Sequence, residues 1–206
     1  ILMRAEEDGW VVDQQFDETQ VLDSVVQTEI TNLDPDTAYS LVAYSSDGNR
    51  RSRASRFRTA LGEGQSRTIR FGASSCLGDN NRPFPTLSRA AEENLDFFLL
   101  GGDTVYADGS LTFEHYRGVW EEALNQQGLQ DLFSSTSVIS VWDDHEVAND
   151  WSWTDLLISD RYDAARATYF ESIPWREGPA GTGMWRRLNW GSVLDVYALD
   201  TRGERY

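Results

Sequence analysis

The hydrophobic pattern of this chain changes its period near residue 62. Between residues 20 and 60, apolar and β-branched positions come in short runs, Val25–Ile30, Tyr39–Tyr44 and Arg51–Thr59, with the turn sequence Ser46-Asp47-Gly48-Asn49 between the last two. Side chains alternate faces along a strand, so this spacing predicts strands of an all-β module. More strand-like sequence follows Ile1. The polar, glycine-containing stretch Leu61-Gly62-Glu63-Gly64-Gln65-Ser66 reads as a linker. Beyond it, Thr68–Ser74, Asp96–Leu100 and Val138–Trp142 read as strands, while Thr86–Asn94, Phe113–Asn125 and Leu156–Glu171 read as helices. A hairpin is predicted from Met184–Trp190 and Ser192–Leu199. Strands alternating with helices imply βαβ units whose sheet is buried between layers. The expected division is therefore residues 1–62, the end of a β-domain, and residues 63–206, an α/β (α+β) unit.

Composition narrows the partners. The 34 acidic residues outnumber 18 basic ones, every one of them Arg, for a formal charge of −16. Such a field repels nucleic acids and anionic membranes, so no nucleic-acid binding is expected. An anionic substrate needs a local cation to reverse the sign, and a bound metal ion does that. No apolar run approaches the roughly 20 residues of a transmembrane helix. The single cysteine, Cys76, excludes an intrachain disulfide. The chain begins at Ile1 with no visible signal peptide, and its start without Met leads us to expect that residues upstream have been removed.

The reactive residues fall at the strand ends. Ile69–Ser75 leads into Cys76, Phe97–Gly102 leads into Asp103 and Tyr106, and Val138–Trp142 leads into Asp143-Asp144-His145-Glu146. In open α/β sheets the carboxyl ends of the strands line the ligand crevice, so these ends are expected to converge on one site. Three carboxylates and an imidazole in four residues after a buried strand repel one another unless something positive sits among them. Oxygen ligands suit calcium, magnesium, manganese or ferric iron, whereas a thiolate and an imidazole suit a transition metal, so the mixture points to more than one ion. Gly101 and Gly102 suit close approach of the backbone to such a cluster. His115, beside Tyr116 in a predicted helix without a partner cluster, reads as structural.

RFGASSC, FFLLGGDTVYADG, ISVWDDHEVANDW, Ile173-Pro174-Trp175-Arg176 and Asn189-Trp190-Gly191 leading to Leu199-Asp200-Thr201-Arg202 resemble, in order and spacing, the PhoD-type alkaline phosphatase/phosphodiesterase family of the metallophosphatase superfamily. The resemblance runs from about residue 66 to the end. It implies a metallophosphatase sandwich, present in part, and hydrolysis of phosphate esters by a metal-activated water or bridging oxide. It also implies Fe3+ and Ca2+, with Zn2+ or Mn2+ as the alternative. On this resemblance Cys76, Asp103 and Tyr106 hold iron, Asp103 bridges to calcium, and Asp144 and Asn149 lie on the calcium side, with Asp143 a further candidate. His145, beside Asp144, faces the phosphate, and Arg202 steadies the hairpin or reaches phosphate, the structural role being favoured. The family is secreted or periplasmic, and its later ligand motifs are expected beyond residue 206, so the remaining C-terminal part of the domain is expected to be required. Leu33–Tyr44 resembles the late strands of a fibronectin type III-like sandwich, in which a corner Tyr ties the strand to nearby backbone.

Two other readings remain at this stage: a phospholipase D-like phosphodiesterase, and a non-catalytic binding module with a degenerate site. A serine hydrolase is disfavoured, since no Ser lies in a nucleophile elbow and the chain has only two His.

Overall fold

The computed structural model describes residues 2–6, 9–14, 25–154, 158–175 and 184–204. In the first unit, β1 (Leu2–Glu6) pairs antiparallel with β2 (Gly9–Gln14) and with β3 (Ala38–Ala43), which pairs with β4 (Ser55–Arg58). The sheet order is β2-β1-β3-β4. Tyr39 and Phe57 face each other across β3 and β4 and stack at 5.7 Å. The Tyr39 hydroxyl accepts a hydrogen bond of 2.9 Å from the Asp34 N–H, which ties the corner ahead of β3 to the strand.

Two expectations for this unit need correction. Val25–Ile30 is not a strand: beyond a single bridge residue at Val25 its backbone is irregular. The Gln27 amide instead donates to the carbonyls of Phe170 and Glu171, at 2.6 and 2.9 Å, at the end of a distant helix. Those carbonyls lack intrahelical partners, and a tertiary anchor of this kind leaves no alternation to read. The run Arg51–Thr59 is ladder-paired only over Ser55–Arg58, because Arg51 makes an isolated bridge with Tyr44.

In the second unit β5 (Phe71–Ser74), β6 (Phe97–Gly101) and β7 (Ser137–Val141) form a parallel sheet in that order. Helices α1 (Pro85–Glu92), α2 (Phe113–Leu124), α3 (Gln127–Ser135) and α4 (Ile158–Ser172) join these strands or follow them. An antiparallel hairpin of β8 (Arg186–Trp190) and β9 (Leu194–Ala198) completes the order. Helix α3 was not expected from the sequence. Its Gly128 sits so close to Phe84 that a Cβ there would lie 2.1 Å from the Phe84 carbonyl oxygen, so α3 is fixed by contact with the start of α1.

The period-2 alternation explains the layers. Phe97 and Ile139 point to one face, where Trp190 and Ala198 of the hairpin and Leu61 of the linker cover them. Phe98 and Leu100 point to the other, against Leu87, Trp120, Leu132 and Tyr169 of the helices. The central strand β6 is thus buried on both sides, which is why it reads as an unbroken apolar run.

Candidate metal centre

Because β5, β6 and β7 are parallel, their carboxyl ends open on one edge, and Cys76, Asp103 and Asp144 leave the sheet together there. Cys76 and Asp103 both have positive φ, 52° and 53°. The N–H groups of Cys76 and Leu77 donate to the carbonyls of Gly102 and Asp103, at 3.1 and 3.0 Å, which binds the first loop to the second. Gly102 makes the next approach possible: its φ is +99°, and a Cβ would meet the Asp143 Cβ at 2.6 Å.

Within this edge Asp103, Asp144 and His145 each bring a donor atom within 4.8 Å of the others. Both carboxylates are buried. The Cys76 thiol donates to Asp103 Oδ2 at 3.2 Å, and the His145 N–H reaches Asp103 Oδ1 at 3.4 Å. The Tyr106 ring lies against the His145 ring, centroids 4.2 Å apart. Cys76, Asp103, Tyr106, Asp144 and His145 are therefore brought together. Asp143 instead forms an ion pair with Arg202, whose Nη2 also lies 3.1 Å from Asp144 Oδ1. Asn149 is exposed, and its amide donates to Asp150 Oδ2 at 3.0 Å.

Three supporting residues went unassigned in the sequence reading. Glu146 is fully buried and accepts from the N–H groups of Asp103, Thr104 and Asp143, at 3.0, 2.6 and 2.9 Å. One carboxylate thus staples the loop after β6 to the loop after β7. Burial pushes its pKa up to about 7, even though the three backbone donors pull the other way. Asp108 holds His145 Nδ1 with both oxygens, at 2.8 and 2.9 Å, and accepts from the Asn149 N–H at 2.6 Å. Arg161, on α4, donates to the carbonyls of Asp108 and Val147, at 2.5 and 3.1 Å. The only sequence signal for Glu146 and Asp108 was an acid beside a recognised candidate, and Arg161 carried none.

The field at this edge is strongly negative. The hydrogen bond to Asp103 raises the Cys76 pKa, and nearby carboxylate charge adds to it. Burial raises Tyr106, followed by the charge of Asp103. Burial pulls His145 down, but Asp108, Asp103 and Asp144 reverse this and leave it raised. A cation would relieve all three effects, and oxygen, nitrogen and sulfur donors are at hand, so the residues fit a bound metal.

Asp200 shows how the last segment meets the site. Its Oδ1 accepts from Trp142 Nε1 at 2.8 Å and from the N–H groups of Arg202 and Gly203, at 3.1 and 2.7 Å. The turn that carries Arg202 is thereby hung on the end of β7.

Residues 71–206 match the family model described as PhoD-like phosphatase. The chain belongs to the PhoD-like phosphatase family. As in the sequence, the matched region starts at β5 and includes every residue of the candidate centre. No curated protein matches the chain. Among solved structures, this PhoD-like chain is similar to one of PhoD, with a TM-score of 0.81 and 20% identity over 98% of its residues. It is also similar to a purple acid phosphatase isolated from yellow lupin (Lupinus luteus) seeds, with a TM-score of 0.59 and 14% identity over 92%. At those identities the likeness establishes the fold. The PhoD-like chain spans 44% of the PhoD chain and 38% of the lupin protein.

Proposed function

We propose that this chain forms one side of the active centre of a metal-dependent phosphoric ester hydrolase, an alkaline phosphatase or phosphodiesterase. The observation that carries the reading is the Asp103, Asp144 and His145 cluster, with donor atoms within 4.8 Å, at the carboxyl edge of a parallel sheet in a PhoD-like phosphatase.

Asp103, Asp144, Cys76 and Tyr106 are the residues that would hold the metal, as Fe3+ with Ca2+, or Zn2+ or Mn2+ in their place. When bound, it supplies Lewis acidity toward the phosphoryl oxygens and lowers the pKa of a water. His145 has its Nδ1 held by Asp108, which leaves Nε2 to meet the phosphate and give a proton to the departing oxygen. Glu146 keeps the Asp103 and Asp143 loops in register, and Arg202 neutralises Asp143 and orients Asp144. Asn149, whose NH2 group is engaged by Asp150, would offer its carbonyl oxygen on the calcium side.

The rest of the reading concerns the intact protein. Residues 1–62 are proposed as the end of a fibronectin type III-like domain, supported by the Asp34–Tyr39 hydrogen bond, and residues 63–206 as the first part of the metallophosphatase domain. The remaining part supplies further ligands, and the protein works in the periplasm or outside the cell. Among the described residues no helix is long and apolar enough to cross a membrane. The test is metal analysis of the intact protein together with hydrolysis of a phosphomonoester and a phosphodiester. Bound metal with turnover of either ester supports the reading. Absence of both overturns it in favour of a binding module.

A further inference from the structure

A second cleft of about 700 Å3 opens at the opposite edge of the parallel sheet, where its strands begin. Its wall includes Arg56 and Arg58 of β4, Arg67 and Arg70 ahead of β5, and Asp96 ahead of β6. Arg56 and Arg58 are two residues apart on a strand, so both project from the same face. Asp36 pairs with Arg58 at 3.3 Å and with Arg67 at 2.7 Å, and Arg67 also pairs with Asp96 at 2.5 Å.

That arrangement commits Asp36 and Asp96. The guanidinium groups of Arg56 and Arg70 are exposed and have no hydrogen-bond or ion-pair partner among the described residues. Glu92, on the rim, is taken by Arg89 at 2.9 Å, which leaves Glu93 as the remaining acid of the wall. Four guanidiniums thus line the cleft with four carboxylates, and the pairing leaves Arg56 and Arg70 uncommitted beside Glu93. In a chain with 34 acidic residues to 18 arginines, a concave surface with uncommitted guanidiniums runs against the composition. An anion in the cleft would meet the two guanidiniums that no carboxylate engages.

We propose that this cleft is a second, non-catalytic site for a tetrahedral oxyanion of the phosphate class, gripped by Arg56 and Arg70. Asp36 and Asp96 hold Arg58 and Arg67 as the fixed wall behind it. A guanidinium presents paired N–H donors that match two oxygens of such an anion, which a Lys-lined cleft would not do. The cleft has room for more than a bare oxyanion, so the ligand is either the free ion or the phosphate group of a small ester. The net charge of −16 opposes any anion at long range, so affinity rests on these local contacts and falls with added salt.

The experiment is calorimetric titration of the intact protein carrying Asp144→Asn, which weakens phosphate binding at the metal edge, with and without Arg56→Ala/Arg70→Ala. Inorganic phosphate and glycerol phosphate are titrated separately, and the tighter of the two identifies the source of the group. The expected result is at least a tenfold loss of affinity on removing the two arginines. Arg56→Ala/Arg70→Ala alone should leave ester hydrolysis near the parental rate, which separates this site from the catalytic reading. Equal affinity with and without the arginines, or no binding in the Asp144→Asn protein, would overturn the proposal.

Discussion

The Asp108 carboxylate grips His145 Nδ1 with both of its oxygens, 2.8 and 2.9 Å away, while its own backbone carbonyl is held by Arg161. The imidazole is therefore fixed in ring orientation, with Nδ1 held toward the acid. Asp108→Asn should keep the fold and lower kcat by about 10–100-fold with little change in KM. Steady-state kinetics of the intact protein would show this, and the alkaline limb of the pH–rate profile should move to lower pH as His145 loses the carboxylate partner that raises its pKa. Parental kcat would reduce Asp108 to a loop anchor.

Asp103→Ala and Asp144→Ala should each lower phosphoester hydrolysis by at least about 100-fold, because each removes a buried oxygen donor from the cluster. Circular dichroism should change little. Near-parental turnover in either variant would place the chemistry elsewhere.

Cys76 and Tyr106 give a spectroscopic test. If the phenolate of Tyr106 binds ferric iron, the intact protein absorbs visible light, and Tyr106→Phe should bleach that band while the far-ultraviolet dichroism stays the same. Cys76→Ser should lower iron content relative to calcium. A colourless, iron-free and active parent would point to Zn2+ or Mn2+ instead.

Glu146 carries structure rather than chemistry. Glu146→Ala strands three backbone N–H groups, two of them buried with Asp103 and Thr104, and should cost at least about 3 kcal/mol in a denaturant titration. Gly102→Ala should cost about 1–3 kcal/mol, since the new methyl meets the Asp143 backbone and the positive φ becomes strained. Both variants should lose activity through displaced loops.

Asp96 sets a pH dependence away from the centre. Burial raises its carboxyl pKa, but hydrogen bonds from Arg67 and the Arg70 N–H outweigh this and leave it below the ordinary 3.8. A lowered acid contributes stability that is present above its unfolded pKa and is lost as pH falls through the folded one. Acid unfolding followed by tryptophan fluorescence should therefore show a steeper loss below about pH 4 in the parent than in Asp96→Asn. Identical acid limbs would show that the Arg67–Asp96 pair does not contribute.

The alternation of apolar residues was enough, by itself, to establish β3, the parallel strands, α1, α2, α4 and the hairpin, because burial on one or both faces leaves its period in the residues. It also established that Cys76, Asp103 and Asp144–His145 follow strand ends, since reactive residues next to apolar runs are visible in one dimension. What only the tertiary structure decided are the partnerships between those ends: Glu146 with the Asp103 loop, Asp108 with His145, Arg202 with Asp143. Each joins residues 37 to 59 positions apart or spans two loops, and no local pattern records such a pairing. The same holds for Val25–Ile30, whose strand-like residues were claimed by the end of α4, and for α3, held by Gly128 against Phe84. In both cases a specific contact between distant segments holds the local structure.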